Sequence, residues 1–231
     1  MNTALGRHFD GDAIWAEVWP SAVGMANEIV ENPEWVKEKT VYEIGSGIGV
    51  AGIAAAIAGA QEVTISDREP RALYCGLLSA QENGVHAEPL PAEISVVDGV
   101  SLPHLPSNPS SLPSSLLRAE VLDWYAEPSP KLAQAFDVVL LCDVLFEASA
   151  VPAIARHTCH LLKPEGIVLL GDATFRAGKE GLRKAFIEKL FEISGREMYI
   201  KHSRHCGRLF WSLGCSKWRK LYPSGQTYLH G

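Results

Sequence analysis

Three acidic side chains and a run of glycines are the parts of this chain best suited to chemistry. Glu43 opens the stretch Glu43-Ile44-Gly45-Ser46-Gly47-Ile48-Gly49, where an apolar strand signal passes into an alanine-rich helical one. Gly45, Gly47 and Gly49 allow a sharp turn and a close ligand approach, because a residue without Cβ accepts positive φ and has no side chain to collide. Asp67 ends a second strand signal, Glu62-Val63-Thr64-Ile65-Ser66-Asp67, where a carboxylate can accept hydrogen bonds from both hydroxyls of a ribose. Asp143 follows the apolar run Val138-Val139-Leu140-Leu141 by way of Cys142, and a carboxylate there is costly inside the protein unless it faces a cleft.

Spacing separates three ligands for the glycine turn. A triphosphate loop needs Lys-Ser or Lys-Thr after its last glycine, where this chain has Val50-Ala51. A dinucleotide fingerprint is satisfied by letter in Gly47-Ile48-Gly49-Val50-Ala51-Gly52, but its first glycine should directly follow the strand, and Gly45 holds that place. The remaining candidate, S-adenosylmethionine, carries a sulfonium and an ammonium, so an acidic neighbour such as Glu43 favours it where a pyrophosphate would be repelled. Asp67 by itself supports a ribose and does not choose between the two cofactors. Glu43 and the glycine register make the choice.

These residues need a frame that brings strand ends together. Strand signals at 40–44, 62–66, 136–141 and 167–173 alternate with helical patterns at 50–58, 70–83, 149–162 and 179–193, the signature of a parallel sheet wrapped by helices. Two last strands, about 197–202 and 208–213, follow each other without a helix and read as an antiparallel hairpin. Residues 98–118, with Pro103, Pro106, Pro109 and Pro113 among serines, read as a surface insertion, after which 119–124 returns to strand character.

With 231 residues and 47% hydrophobic content, one decorated domain, 1–231, is expected. No apolar run approaches the ~18 residues of a membrane span, and the first twenty residues, with Asp10, Asp12 and Glu17, lack a signal-peptide core. Five cysteines without a C-x-x-C pair fit reduced thiols, so the expected compartment is the cytoplasm, with the nucleus as an alternative. A net charge of −6 argues against general nucleic-acid binding. Seven basic residues against Glu197 alone between Gly195 and Lys220 would suit an acidic protein surface or simply a solvated edge hairpin. His157 with His160, and His202 with His205 and Cys206, lack further partners at ligand spacing, so no metal is expected and the histidines read as surface residues.

Five signals in order give the chain a resemblance to the seven-β-strand family 16 methyltransferases, which include protein-lysine and nicotinamide N-methyltransferase-like enzymes. They are Val18-Trp19-Pro20-Ser21-Ala22, the glycine stretch with Asp67, Asn83 ending a helix, Leu122-Asp123-Trp124, and Asp143-Val144-Leu145-Phe146. Departures are the length of the Pro/Ser insertion, Phe146 where tyrosine is frequent, and an unmatched C-terminal end. The resemblance implies an α/β, Rossmann-like, seven-stranded class I methyltransferase sheet with helices on both faces and a C-terminal antiparallel hairpin. It implies S-adenosyl-L-methionine held by Trp19, Glu43, Gly45, Ser46, Gly47, Gly49, Asp67, Arg68, Asp123, Trp124 and Cys142. Trp124 would lie against the adenine, and Asp143 and Phe146 would be the catalytic pair beside the methyl group. Without that context Trp19 and Trp124 read as core aromatics and Phe146 as a packing residue.

The implied activity is methyl transfer to a lysine of a protein substrate by a monomer. Alternatives are a small-molecule, arginine or histidine methyltransferase on the same fold, or an inactive binding module. Exocyclic base nitrogens and glutamine rank lower, because their enzymes use an Asn/Asp-Pro-Pro-Tyr/Phe motif and Cys142–Phe146 lacks both prolines.

Overall fold

The apolar run Thr40–Ile44 forms β1, a strand buried from Val41 onward, which pairs in parallel with β2 (Glu62–Asp67) on one side and with β7 (Phe136–Cys142) on the other. Near-continuous hydrophobic strands of this kind are what a sheet covered on both faces requires. A computed structural model describes residues 14–97, 99–106, 115–172, 180–195, 199–205, 208–214 and 226–227. Its remaining elements are α1 (Pro20–Glu31), α2 (Val50–Ile57), α3 (Pro70–Glu82), β3 (His86–Ala87), β4 (Val96–Val97), β5 (Val100–Ser101), β6 (Leu116–Val121), α4 (Val151–Leu161), β8 (Leu162–Asp172), α5 (Glu180–Ser194), β9 (Tyr199–His205), β10 (Arg208–Gly214) and β11 (Gln226–Thr227), with short 3-10 turns between.

Nine of these strands form one sheet in the order β11-β9-β10-β8-β7-β1-β2-β6-β3, and seven of the nine have five residues or more. The six from β8 to β3 run parallel, while β10 is antiparallel to both β8 and β9. Chain order reverses at β1, so the carboxyl ends of β1 and β7 flank the switch point where open α/β sheets bind ligands.

Alternation of side chains along the strands divides the core in two. Val41, Val63, Val138, Leu140 and Ile167 pack with Met25, Ile29 and Ile53 from α1 and α2, and with Leu73 and Leu77 from α3. Tyr42, Ile44, Val139, Leu141, Val168 and Leu170 pack on the other face with Ile154 and Leu161 of α4 and Phe186 and Leu190 of α5. No described helix is long and apolar enough to cross a membrane.

Three sequence expectations shift. β8 begins at Leu162, not 167: Leu162 pairs with Phe136, and after a bulge Ile167 pairs with Val138. The bulge is tied down by Asp137, whose Oδ2 accepts from Lys163 Nζ at 2.9 Å, Thr40 N–H at 3.0 Å and Thr40 Oγ1 at 2.8 Å. The Pro/Ser stretch is trimmed at both ends, because Val100–Ser101 pairs with Val96–Val97 in a small hairpin and β6 already starts at Leu116 in register with Glu62. Residues 107–114 lie outside the described ones. Finally α1, unread in the sequence, starts with Pro20 at its first position, where the missing N–H costs nothing.

The Asp137 knot gives a pH-dependent prediction. Burial acts upward on this carboxyl, but the Thr40 N–H, the Lys163 ammonium and the Thr40 hydroxyl outweigh it and hold the group below its ordinary 3.8. A depressed carboxylate stabilises above its unfolded value and loses that contribution as pH falls through the folded one. Asp137→Ala should therefore cost about 1–2 kcal/mol in urea denaturation at pH 7, and the gap from the wild type should close as the pH is taken below 3.8.

Candidate active site

The turn after β1 is shaped by backbone that only glycine adopts readily. Gly45, Gly47 and Gly49 have φ of 65°, 53° and 78°. At Gly45 an added Cβ would sit 2.8 Å from Val144 Cγ1 and 3.0 Å from Trp124 Cζ2; at Gly47 it would sit 2.9 Å from the Trp15 carbonyl oxygen. The glycines thus make room for the segments that close over the turn as well as for a ligand.

Two carboxyls hold the turn from below. Asp67, at the end of β2, accepts the Gly47 N–H on Oδ2 at 2.9 Å and the Glu69 N–H on Oδ1 at 3.0 Å. Glu43, 1% exposed, accepts the Gly52 N–H at 2.8 Å in the first turn of α2, where a carboxyl complements the helix dipole. The Ser66 hydroxyl donates to the Glu43 carbonyl at 2.7 Å, and the Ser46 N–H donates to the Ser66 carbonyl at 2.8 Å, so β1, the turn and β2 form one hydrogen-bonded unit.

Burial changes the charge expected at Glu43. It pushes the carboxyl from an ordinary 4.5 up to about 8, assisted by the nearby Asp67 charge and opposed by the Gly52 N–H. The sequence reads Glu43 as an anion beside the loop; the structure places it buried beneath the loop, where loss of water favours its protonated form. Asp67 is also raised, chiefly by burial, with the Glu69, Gly47 and Arg68 N–H groups and the exposed Arg68 charge acting against this. An ionised carboxylate has about four acceptor positions, so Asp67 has capacity beyond the Gly47, Glu69 and Arg68 N–H groups that meet it.

The other site candidates sort by distance. Trp124 reaches Gly45 and faces Phe146, with ring centroids 6.0 Å apart, and Phe146 is 42% exposed. Asp143 follows β7 with φ 55°, is buried, and donates its N–H to the Gly171 carbonyl at 2.9 Å, which joins it to the end of β8. A non-glycine residue held in the left-handed region is a form of strain that clusters at functional sites. Cys142 is buried, and burial followed by the Glu43 and Asp143 charges pushes its thiol well up, which keeps it protonated and unreactive.

Trp19 stands at the edge, 36% exposed, and its Nε1–H donates to the Ile14 carbonyl at 3.1 Å, folding residues 14–19 into a strap over Gly47. Asp123 turns back on its own loop, with Oδ1 accepting the Tyr125 N–H at 3.0 Å.

Sequence reasoning missed Trp15 and Gly52 and misplaced His157. Of the first two, Gly52 had left a trace, as the last letter of the dinucleotide pattern; here it lets α2 approach β2, since a Cβ would lie 2.7 Å from both Glu43 Oε2 and Ile65 Cγ2. His157 is 2% exposed and belongs to no surface, correcting the expectation for it. Burial lowers its pKa, against hydrogen bonds from the ring to the backbones of Ala126 and Trp124 that favour the charged form. Among the described residues no three His, Cys, Asp or Glu side chains gather as metal ligands.

The raised Glu43 carboxyl carries a test. The folded protein retains a proton that the unfolded chain releases near 4.5, so stability linked to this group is full below that value and declines as pH rises toward about 8. In Glu43→Gln, whose amide oxygen still accepts from Gly52, that decline should vanish. Denaturation midpoints at pH 5, 7 and 9 should fall for the wild type relative to the variant; parallel profiles would mean that the Glu43 titration is not shifted.

Comparisons with known proteins agree with this geometry. A family model described as lysine methyltransferase matches residues 8–83, the stretch that carries Trp19, the glycine turn and Asp67. The electron transfer flavoprotein beta subunit lysine methyltransferase of Rattus norvegicus is 33% identical over 79 residues, 34% of this chain and 31% of that protein. Protein N-lysine methyltransferase METTL21A of Danio rerio is 29% identical over 155 residues, 67% of this chain and 59% of that protein. The chain therefore spans less than two thirds of the length of either relative. In three dimensions it resembles a solved structure assigned to the S-adenosyl-L-methionine-dependent methyltransferases, from Methanococcus maripaludis, with TM-score 0.55 and 13% identity over 85% of each chain. Residues 8–83 thus resemble the lysine methyltransferase family, and the sheet has the class I methyltransferase fold.

Proposed function

We propose that the protein is an S-adenosyl-L-methionine-dependent methyltransferase that methylates a lysine side chain of a protein substrate. The observation carrying this reading is the convergence, at the carboxyl edge of the parallel strands, of the positive-φ glycine turn, Asp67, the Trp124–Phe146 pair and the left-handed Asp143. The family match and the names of the relatives support lysine as the acceptor.

The residues present fit the cofactor. The turn offers close-approach backbone where a Cβ at Gly45 or Gly47 would collide, Asp67 ends β2 as a ribose acceptor, and Trp124 supplies an aromatic face beside Gly45. Ser46, Gly49, Arg68, Asp123 and Trp19 would complete the holding shell, with Glu43 and Cys142 beneath it. When bound, S-adenosylmethionine supplies an electrophilic methyl group on a positively charged sulfur.

A lysine arrives protonated. With a reference pKa near 10.4, only about one amine in 2,500 is neutral at pH 7, a deficit of roughly 4–5 kcal/mol. Removal from water favours the neutral form, as does a neighbouring positive charge. A carboxylate acts in the opposite sense, so Asp143 docks and orients the incoming amine and does not deprotonate it. Phe146 forms an apolar wall of the acceptor channel, excluding water and offering its ring face to the arriving ammonium. Alignment of donor and acceptor supplies most of the rate, and no covalent enzyme intermediate is required.

The proposal extends to one catalytic domain working as a monomer on another protein, in the cytoplasm or the nucleus. Free Cys75, Cys142 and Cys159 fit a reducing compartment. Incubation with methyl-labelled cofactor and a lysate should give a discrete labelled protein band whose label resides on Nε-methyllysine by mass spectrometry. Label on arginine or histidine, label in small molecules only, or no transfer despite cofactor binding would each replace this reading with one of its alternatives. Asp143→Ala should abolish transfer while calorimetry still detects cofactor binding; unchanged turnover would remove Asp143 from the reaction.

A further inference from the structure

The connection between β6 and β7, residues 122–135, carries Asp123 and Trp124 and has one 3-10 turn, Pro130–Leu132, as its regular structure. Its backbone is captured along one edge of α4. Arg156 Nη2 donates to the Ala126 carbonyl at 3.1 Å, and Arg156 Nη1 meets Glu127 Oε1 at 3.2 Å. His157 Nε2 lies 3.1 Å from the same Ala126 oxygen, and the Trp124 backbone is a further hydrogen-bond partner of that imidazole. His160 Nε2 lies 2.7 Å from the Ser129 carbonyl, and the Gln134 N–H returns a bond to the His160 carbonyl at 2.7 Å. A carbonyl only accepts, so each imidazole carries its proton on Nε2.

The opposite edge of α4 is core: Val151, Ile154, Ala155 and Leu161 are buried against the sheet. The two histidines, three apart on the helix, thus meet carbonyls three apart on the crossing segment. This accounts for the three-residue spacing of the pair. At the other end of the segment the Trp124 indole is seated 3.0 Å from the position a Gly45 Cβ would take. One hydrogen-bonded path therefore runs from α4, which has no part in the glycine turn, to the aromatic wall that closes it.

We propose that the Arg156–His157–His160 edge of α4 is a positioning element for the cofactor site, holding Trp124 at the glycine turn and so setting affinity on the adenine side. The proposal rests on the reading of that turn as a S-adenosylmethionine site. None of the three residues is a catalytic residue; they act through Trp124.

Calorimetric titration with S-adenosylhomocysteine and with 5′-methylthioadenosine, which shares only its adenosine part, tests this on the full chain. His157→Ala should weaken both ligands by a similar factor, roughly fivefold, the equivalent of about 1 kcal/mol. His157→Gln, whose amide N–H can reach the same carbonyl, should recover most of the loss, and Arg156→Ala should show a smaller one, with altered indole fluorescence in both weakened variants. A general loss of fold would not be reversed by glutamine, nor would it follow an arginine at the helix surface. Wild-type affinity in folded His157→Ala overturns the proposal. Should that variant fail to fold, wild-type affinity and unchanged fluorescence in Arg156→Ala do the same. Absence of binding by the wild type to either ligand overturns the underlying cofactor reading and the proposal with it, an outcome distinct from normal wild-type binding with unaffected variants.

Discussion

Two carboxyl groups grip the turn between β1 and α2, Asp67 through the Gly47 N–H and Glu43 through the Gly52 N–H, and the rest of the site is arranged around that grip. A turn with three residues at positive φ contributes little packing of its own, and its N–H groups need acceptors when they leave water. Asp67 and Glu43 supply them from two adjacent strands, so the turn is tied to the sheet beneath it. Burial shifts Glu43 toward its protonated form, which lessens the cost of placing a carboxyl in the core.

From that fixed turn the surroundings are built by close approach. Val144 and Trp124 fill the space that a side chain at position 45 would occupy, and the Trp15 carbonyl fills the space at 47. Absence of Cβ therefore serves closure as well as ligand access, and segments distant in the chain meet over one backbone. The strap at 14–19 and the connection at 122–135 contribute mainly as coil or 3-10 turns, and both are held by side chain to carbonyl hydrogen bonds: Trp19 to Ile14 in one, the α4 edge to Ala126 and Ser129 in the other. A wall of this type can be tuned without touching the residues that contact substrate.

Much of the frame was legible because periodicity is local. β1 matches its expected bounds, and α2, β2, α3 and β7 lie within a residue of theirs, since strand alternation, apolar runs and Gly or Pro punctuation act over a few residues. The misses have non-local causes. The five-residue extension of β8 depends on Asp137 reaching Lys163 across a bulge, and the early start of β6 depends on pairing with β2. α1 has Ala22, Met25 and Ile29 at helical spacing, and their burial against the sheet is what fixes it. The basic stretch after Gly195 supplies the backbone of β9 and β10; its side chains fall outside the described residues.

The sequence alone determined the class of fold, the order of the chemical groups and the place of the glycine turn, because those follow from residue type and short-range spacing. Only the tertiary structure decided the surroundings of the groups: that Glu43 is buried beneath the turn, that Asp143 is held at positive φ against β8, and that His157 is buried against the Ala126 carbonyl. Ionisation, strain and partnership depend on which atoms lie a few ångströms away, and those atoms come from parts of the chain that no short-range pattern connects.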